Sequence, residues 1–233
     1  MSLPTLLVPG LLCSPRLFAA QMPMLWRQGP VMVAARTRDD TMAGIATRIL
    51  ADAPPRFTLA GLSMGGYVAF EIMRQAPERV AKLVLMDTTA RPDAPEKSEH
   101  RRALVAQAEA GQLREVAAQL FPQLVHRSRH EDEVLKVIIA QMALETGREA
   151  FALQQNAIIS RPDSRPSLPA IACPTLVMVG DGDELIPPEH SREIAEAIPG
   201  ARLSLIPGAG HLTTLEAPDA VNAALDAWLA EPS

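Results

Sequence analysis

The chain has 233 residues, 48% of them apolar, and a net charge of −5 with no basic run. That length and apolar content suit one compact domain with a sizeable core, and the charge argues against nucleic acid or an anionic membrane surface as a partner. The two cysteines, Cys13 and Cys173, give neither a disulfide framework nor zinc spacing, and no apolar run is long enough to span a bilayer.

The apolar start, Leu3 to Leu12, lacks a basic leader and contains Pro4 and Pro9. It therefore reads as a strand, Thr5–Val8, and a loop rather than a signal peptide, and the expected location is the cytoplasm. A short helix is expected from about Leu17 to Trp26, then a strand at Val31–Ala34. The polar loop Arg36-Thr37-Arg38-Asp39-Asp40 leads to a helix capped by Asp40 or Thr41 and ended near Ala51, before Pro54-Pro55. A strand at Phe57–Ala60 is followed by a helix from Met64 that stops before Pro77, and Val80–Met86 is a fourth strand. These unbroken apolar runs, alternating with helices, predict a parallel sheet covered on both faces.

The rhythm breaks at Arg91. Four helices are expected, near Ala94–Ala110, Leu113–Phe121, Asp132–Glu145 and Arg148–Ile159. The stretch 91–166 thus reads as a helical cap inserted into a core made of 1–90 and 167–233. Strands return at Thr175–Val179 and Ala201–Ile206, with helices near Glu189–Ala197 and from Pro218 to about Ala230. Six strands are counted.

One joint carries a chemical pattern. Gly61-Leu62-Ser63-Met64-Gly65 lies between a strand and a helix, which is the spacing of a nucleophile elbow. A serine on so sharp a turn has a strained backbone, and side chains at Gly61 or Gly65 would collide with neighbouring chain. Its Oγ would stand at a helix N-terminus, where negative charge is favoured. A later acidic loop, Gly180-Asp181-Gly182-Asp183-Glu184, offers three carboxylates, and Pro207-Gly208-Ala209-Gly210-His211 places a histidine after the last strand. Asp181 has a structural use available, since Asp-Gly is a turn signal. Asp87, after the fourth strand, reads as a cap for the turn Asp87-Thr88-Thr89. His100, His126, His130 and His190 fall in cap or helix-surface stretches. His126 and His130 have a four-residue spacing, but Arg127 and Arg129 flank them, so a solvated face is expected there rather than a metal site.

In these motifs the chain resembles the α/β-hydrolase superfamily, over nearly its whole length. The strongest matches are Gly-Leu-Ser-Met-Gly-Gly at 61–66, Gly-Asp-Gly-Asp-Glu-Leu-Ile-Pro-Pro at 180–188 and Pro-Gly-Ala-Gly-His at 207–211. It is most similar to the capped serine hydrolases grouped with carboxylesterases, enol-lactonases and cofactor-free haloperoxidases. The resemblance implies a sheet of about eight strands, so the antiparallel pair that usually opens it is not seen. It implies Ser63 as nucleophile, His211 as base and, by its place after Gly180 and before Pro187, Asp183 as the acid. Asp87 is an outside candidate for the acid on the same resemblance, since some hydrolases carry it there. It implies an oxyanion hole from the backbone N–H groups of Met64 and Leu11, although Pro9-Gly10-Leu11 stands where relatives carry His-Gly. The implied activity is hydrolysis of a small carboxylic ester or lactone by water, with no cofactor and no metal. Thioester or carbon–carbon bond hydrolysis, perhydrolysis and a triad-based lyase share the same parts, and a non-catalytic small-molecule receptor is the reading from another class. Leu12, Met142, Leu153 and Leu212 are candidate pocket walls.

Overall fold

In a computed structural model, residues 3–34 and 38–231 are described. The first part of the polar loop at 36–40 therefore lies outside the described residues. Among the described residues six strands form one all-parallel sheet: β1 (Thr5–Val8), β2 (Val31–Val33), β3 (Phe57–Leu62), β4 (Val80–Met86), β5 (Thr175–Gly180) and β6 (Arg202–Ile206), in the order β2-β1-β3-β4-β5-β6. Every residue of β1, β3, β4 and β5 is buried. That is why these strands are legible as continuous apolar runs, with no alternation.

Helices cover both faces. On one side α2 (Met42–Asp52), α3 (Met64–Gln75) and α8 (Pro188–Ala197) pack on Leu6, Leu59, Leu83 and Val177. On the other, α1 (Met22–Gln28) and α10 (Pro218–Leu229) pack on Leu7, Ala60, Val84 and Leu176. Cys13 packs with the second group and Cys173 with the first, and both are free thiols. The expected helix at Leu17–Trp26 is instead a 3₁₀ turn, Pro15–Phe18, followed by α1. Pro23 explains the break: it cannot donate to the preceding turn, so the helix restarts around it. A short helix that the sequence does not announce, α9 (Thr213–Glu216), follows the last strand's loop.

Between β4 and β5 the chain runs through α4 (Pro95–Glu109), α5 (Leu113–Leu124), α6 (Glu133–Thr146) and α7 (Arg148–Ile159). These helices have a small core of their own around Leu104, Leu113, Val116 and Phe151, which Leu12 joins. The two ends of the excursion are fastened together. Ser164 N–H donates to the Ala90 carbonyl (2.8 Å), and Arg161 Nε donates to the Arg91 carbonyl (3.0 Å).

The strand order reverses between β1 and its two neighbours, β2 and β3. Ligands of open parallel sheets bind beyond the carboxyl ends of strands at such a point. The loop after β1 and the turn after β3 both open there.

Candidate active site

Ser63 occupies the single residue between β3 and α3, with φ 56° and ψ −115°. A non-glycine residue held there is strained, and the surroundings hold it from three sides. Ser63 N–H donates to the Met86 carbonyl (2.9 Å), its own carbonyl accepts from Gly66 N–H (2.8 Å), and Thr88 Oγ1 also donates to that carbonyl (2.8 Å). The glycines serve close approach: a Cβ at Gly61 would strike the Gly65 carbonyl, and one at Gly65 would strike the carbonyl of Val8. Gly10 is also tight against the elbow, since a Cβ there would lie 3.3 Å from that of Ser63. The β1 loop is thereby pressed against the turn. Met64 N–H is the first of α3, one of the donors a helix leaves without an internal acceptor.

His211 lies on the loop after β6 and is buried. Its Nε2 is 2.8 Å from Ser63 Oγ, and its Nδ1 is 2.8 Å from Asp183 Oδ2. An ionised carboxylate only accepts, so Nδ1 carries the proton and Nε2 is free to accept from the Ser63 hydroxyl. Asp183 is fixed in turn: its Oδ1 accepts from Leu185 N–H (3.0 Å) and Ile186 N–H (2.9 Å). Burial works against charge on His211, but the adjacent Asp183 carboxylate, with lesser help from Asp87 and Glu216, outweighs it and raises the ring's pKa above its ordinary value.

The other carboxylates have separate positions. Asp181 Oδ1 accepts from Gly208 N–H (2.8 Å) and ties the β5 loop to the β6 loop. Glu184 lines the cavity described below. Asp87 is fully buried with φ 48°. Its oxygens meet Gly180 N–H (3.0 Å) and Thr213 Oγ1 (2.5 Å) rather than the His211 ring. Burial, and then the neighbouring Asp183 charge, push its pKa well above the usual carboxylate range.

Glu216, which nothing in the sequence singles out, braces the histidine loop. It accepts from the N–H groups of His126 (2.6 Å), Gly210 (2.9 Å) and Leu212 (3.3 Å). An acid five residues beyond a loop histidine has no periodic signature, and only the missing donors of that loop explain it.

Ser63 and His211 open into a cavity of about 570 Å³ that lies between the strand-end loops and α4–α7. Leu11, Leu12, Met142 and Leu212 line it. Leu153 does not, contrary to expectation. On α7 it is Gln155 and Ile158 that face the cavity, and two residues along a helix is a rotation of about 200°, which turns Leu153 away from Gln155. His100 and His190, expected on helix surfaces, also line the cavity. His190 Nδ1 is 3.0 Å from Thr89 Oγ1, and burial, followed by the Arg91 charge, lowers its pKa. Cys13 lines the wall too, but burial pushes its thiol up to about 12, so it is no thiolate at neutral pH. His126 Nδ1 pairs with Ser128 Oγ (2.7 Å) and His130 Nε2 with the Pro122 carbonyl (3.0 Å), so the two rings have separate partners.

The family described as alpha/beta hydrolase fold matches residues 36–218. The chain belongs to that family. It is 34% identical to a thermophilic esterase from Thermogutta terrifontis, with 97% of this chain and 89% of that one covered at a TM-score of 0.87. The pimeloyl-[acyl-carrier protein] methyl ester esterase of Nitrosomonas europaea is 28% identical over 78% of this chain and 75% of its own. The enol-lactonase from Burkholderia xenovorans LB400 shares the fold at a TM-score of 0.89, with 24% identity over 99% of this chain and 92% of that one. No helix among the described residues is long and apolar enough to cross a membrane.

Proposed function

We propose that this hydrolase-family chain is a serine esterase that cleaves a small carboxylic ester or lactone through an acyl-Ser63 intermediate. The observation that carries the reading is the unbroken line Ser63 Oγ–His211 Nε2–His211 Nδ1–Asp183 Oδ2, with 2.8 Å at both hydrogen bonds. A serine hydroxyl is a weak nucleophile until a base takes its proton. His211 Nε2 takes it as Oγ attacks the carbonyl carbon, and Asp183 stabilises the imidazolium that results. The carbonyl oxygen becomes an oxyanion beside the Met64 and Leu11 N–H groups, which act as its donors. When the tetrahedral adduct collapses, the C–O bond breaks and His211 returns the proton to the leaving alkoxide. Water then repeats the sequence: His211 deprotonates it, it attacks the acyl carbon, and Ser63 leaves with the proton restored. The helices α4–α7 act as a cap that encloses the substrate. The esterase names of the Thermogutta and Nitrosomonas relatives agree with this reading.

A serine-directed fluorophosphonate tests it. One label is expected, on Ser63, with turnover of a short-chain ester by the purified protein. Ser63→Ala should abolish labelling and lower turnover by roughly 10⁴ or more. Labelling elsewhere, or a variant of wild-type rate, would sink the proposal, and an unlabelled protein that turns over no ester would favour a binding role.

A further inference from the structure

Besides its apolar residues the cavity is lined by polar side chains with a surplus of positive charge. Among them is Asp93, whose side chain has no exposed surface and which binds two guanidinium groups. Arg161 Nη1 donates to Asp93 Oδ1 (2.9 Å), and Arg101 Nε donates to both carboxylate oxygens (3.2 and 3.1 Å). Arg161 also lies over the ring of Tyr67, 4.5 Å from its centroid, and Tyr67 is one helical turn beyond Ser63. One carboxylate against two guanidiniums leaves a unit of positive charge uncompensated, and Lys97 adds another to the lining. Among the described residues the other lining charges are Arg91, which is paired with Glu193 (2.9 Å), and Glu184 on the β5 loop, which offsets one of the two and leaves a net surplus of one positive charge.

A second observation comes from Gln155, which is 0% exposed and lines the cavity. Its Oε1 accepts from Arg101 Nη1 (3.0 Å), which fixes the amide's orientation. Its Nε2 then has no acceptor among the described residues. A buried donor without a partner is costly, and such groups mark places where something else completes the bonding. The occupant that suits them is an oxygen acceptor with negative charge, small enough to share the cavity with an acyl group.

We propose that Arg101 and Gln155 form a carboxylate-binding subsite, and that the preferred substrates are esters or lactones carrying a free carboxylate. One carboxylate oxygen accepts from Gln155 Nε2, and Arg101 supplies charge and the adjacent donor edge. Arg161 and Asp93 hold Arg101 in place. A monoanion matches the surplus better than a phosphate dianion, which needs more donors than this wall provides. The proposal rests on the esterase reading for its assay, so a binding measurement accompanies the kinetics.

The assay compares monomethyl glutarate and monomethyl adipate with methyl esters of monocarboxylic acids of matched chain length. A further pair, 4-acetoxybutanoate and butyl acetate, places the charge on the alcohol side. The expected result is a kcat/KM ratio of roughly tenfold to hundredfold in favour of the anion, on one side or the other, as for other charge-assisted bonds. The preference should shrink with added salt. Arg101→Gln should bring the ratio to about one, and Gln155→Glu, which retains a partner for Arg101, should invert it. Thermal melts establish that both variants fold. Binding of monomethyl adipate to Ser63→Ala, measured by calorimetry, should weaken at least tenfold when Arg101→Gln is added. An ester-hydrolysing protein with equal rates for charged and neutral members of each pair would overturn the subsite. If no ester is turned over, equal binding with and without Arg101→Gln would overturn it independently.

Discussion

The strand-end loops of the sheet and the helices α4–α7 face each other across one cavity, and they hold their polar side chains differently. On the sheet side, Ser63, Asp183 and His211 have partners at every atom the chemistry uses, and Asp181, Thr88 and Glu216 bind the loops that carry them. On the helical side, Arg101 and Gln155 are anchored by one part of each side chain, and Gln155 Nε2 has no partner among the described residues. Groups whose geometry must not change between turnovers are saturated with hydrogen bonds. Groups that select a ligand must keep capacity for it. The contrast predicts that substitutions on the two sides have effects of different kind and size.

The largest effect expected after loss of Ser63, the proposed nucleophile, is at Asp183. Asp183→Asn keeps its shape but can donate to the His211 ring, which favours the wrong tautomer, and turnover should fall by a factor of order ~10⁴. The pH profile should move as well. On the proposed mechanism the wild type should lose activity on acidification as His211 becomes protonated, and the adjacent carboxylate holds that pKa above its ordinary value. Without the carboxylate the ring stays neutral to lower pH, so the acid limb of the residual activity should shift downward. Asp181→Asn retains an acceptor for Gly208 N–H and a good turn residue, and its rate should fall by about tenfold or less. Equal losses in both variants, each checked for folding, would break the assignment of separate roles.

On the helical side, the expected effect is on choice rather than chemistry. Met142 is 1% exposed and lines the cavity, so Met142→Phe should shorten the preferred acyl chain, by roughly tenfold in kcat/KM per excluded methylene. The pH profile should not move. Leu153→Phe is the matched control on the face of α7 turned from the cavity, and it should rank esters as the wild type does. A changed ranking for Leu153→Phe alone would mean that the Leu153 face of α7, not the Gln155 face, meets the substrate.

The order of these effects tracks how plainly each residue stands out in the amino-acid sequence. Strands buried on both faces leave continuous apolar runs, so β1, β3, β4 and β5 are legible to within two residues, and the four helices of 91–166 are legible from their length and spacing. Ser63 is legible because the elbow needs glycines at fixed spacing, and those glycines have no other reason to be there. Asp183 needs more than residue type: Asp181 and Glu184 are carboxylates of the same loop, and only the Asp-Gly turn signal at Asp181 and the spacing of Asp183 from Gly180 and Pro187 separate them in sequence. Leu153 is misleading because an apolar residue on a helix with a weak pattern does not reveal which face turns inward. Gln155, Glu216 and the Asp93 cluster are not legible in sequence, because each depends on a long-range partner: Arg101 meets Gln155, Arg161 meets Asp93 and His126 meets Glu216 only when the helices are docked.

The smallest expected effect is at Asp87, which sits on the sheet side yet belongs to neither the nucleophile nor its base. Its carboxyl is fully buried beside Asp183, and both circumstances raise its pKa well above the ordinary carboxylate range. A pKa higher in the folded than in the unfolded state means that the fold favours the protonated form. The associated stability is fully present below the ordinary carboxylate pKa and is lost as pH rises through the raised value. Asp87→Asn fixes a neutral group of nearly the same shape. Its carbonyl can accept from Gly180 N–H, and its amide can donate to Thr213 Oγ1, the two partners Asp87 already has. At about pH 4, close to the ordinary carboxylate value, the variant and the wild type should melt at nearly the same temperature. By pH 9 the variant should melt higher, by about 2–4 °C for each kcal/mol of charge burial it avoids. Ester turnover at pH 7 should change by less than about tenfold, since the Asp87 oxygens bond Gly180 and Thr213 rather than the His211 ring. A gap in Tm that does not grow with pH would mean that Asp87 is ionised in the folded chain. It would then stand as a second fixed negative charge behind His211 rather than a neutral prop for the β5 loop.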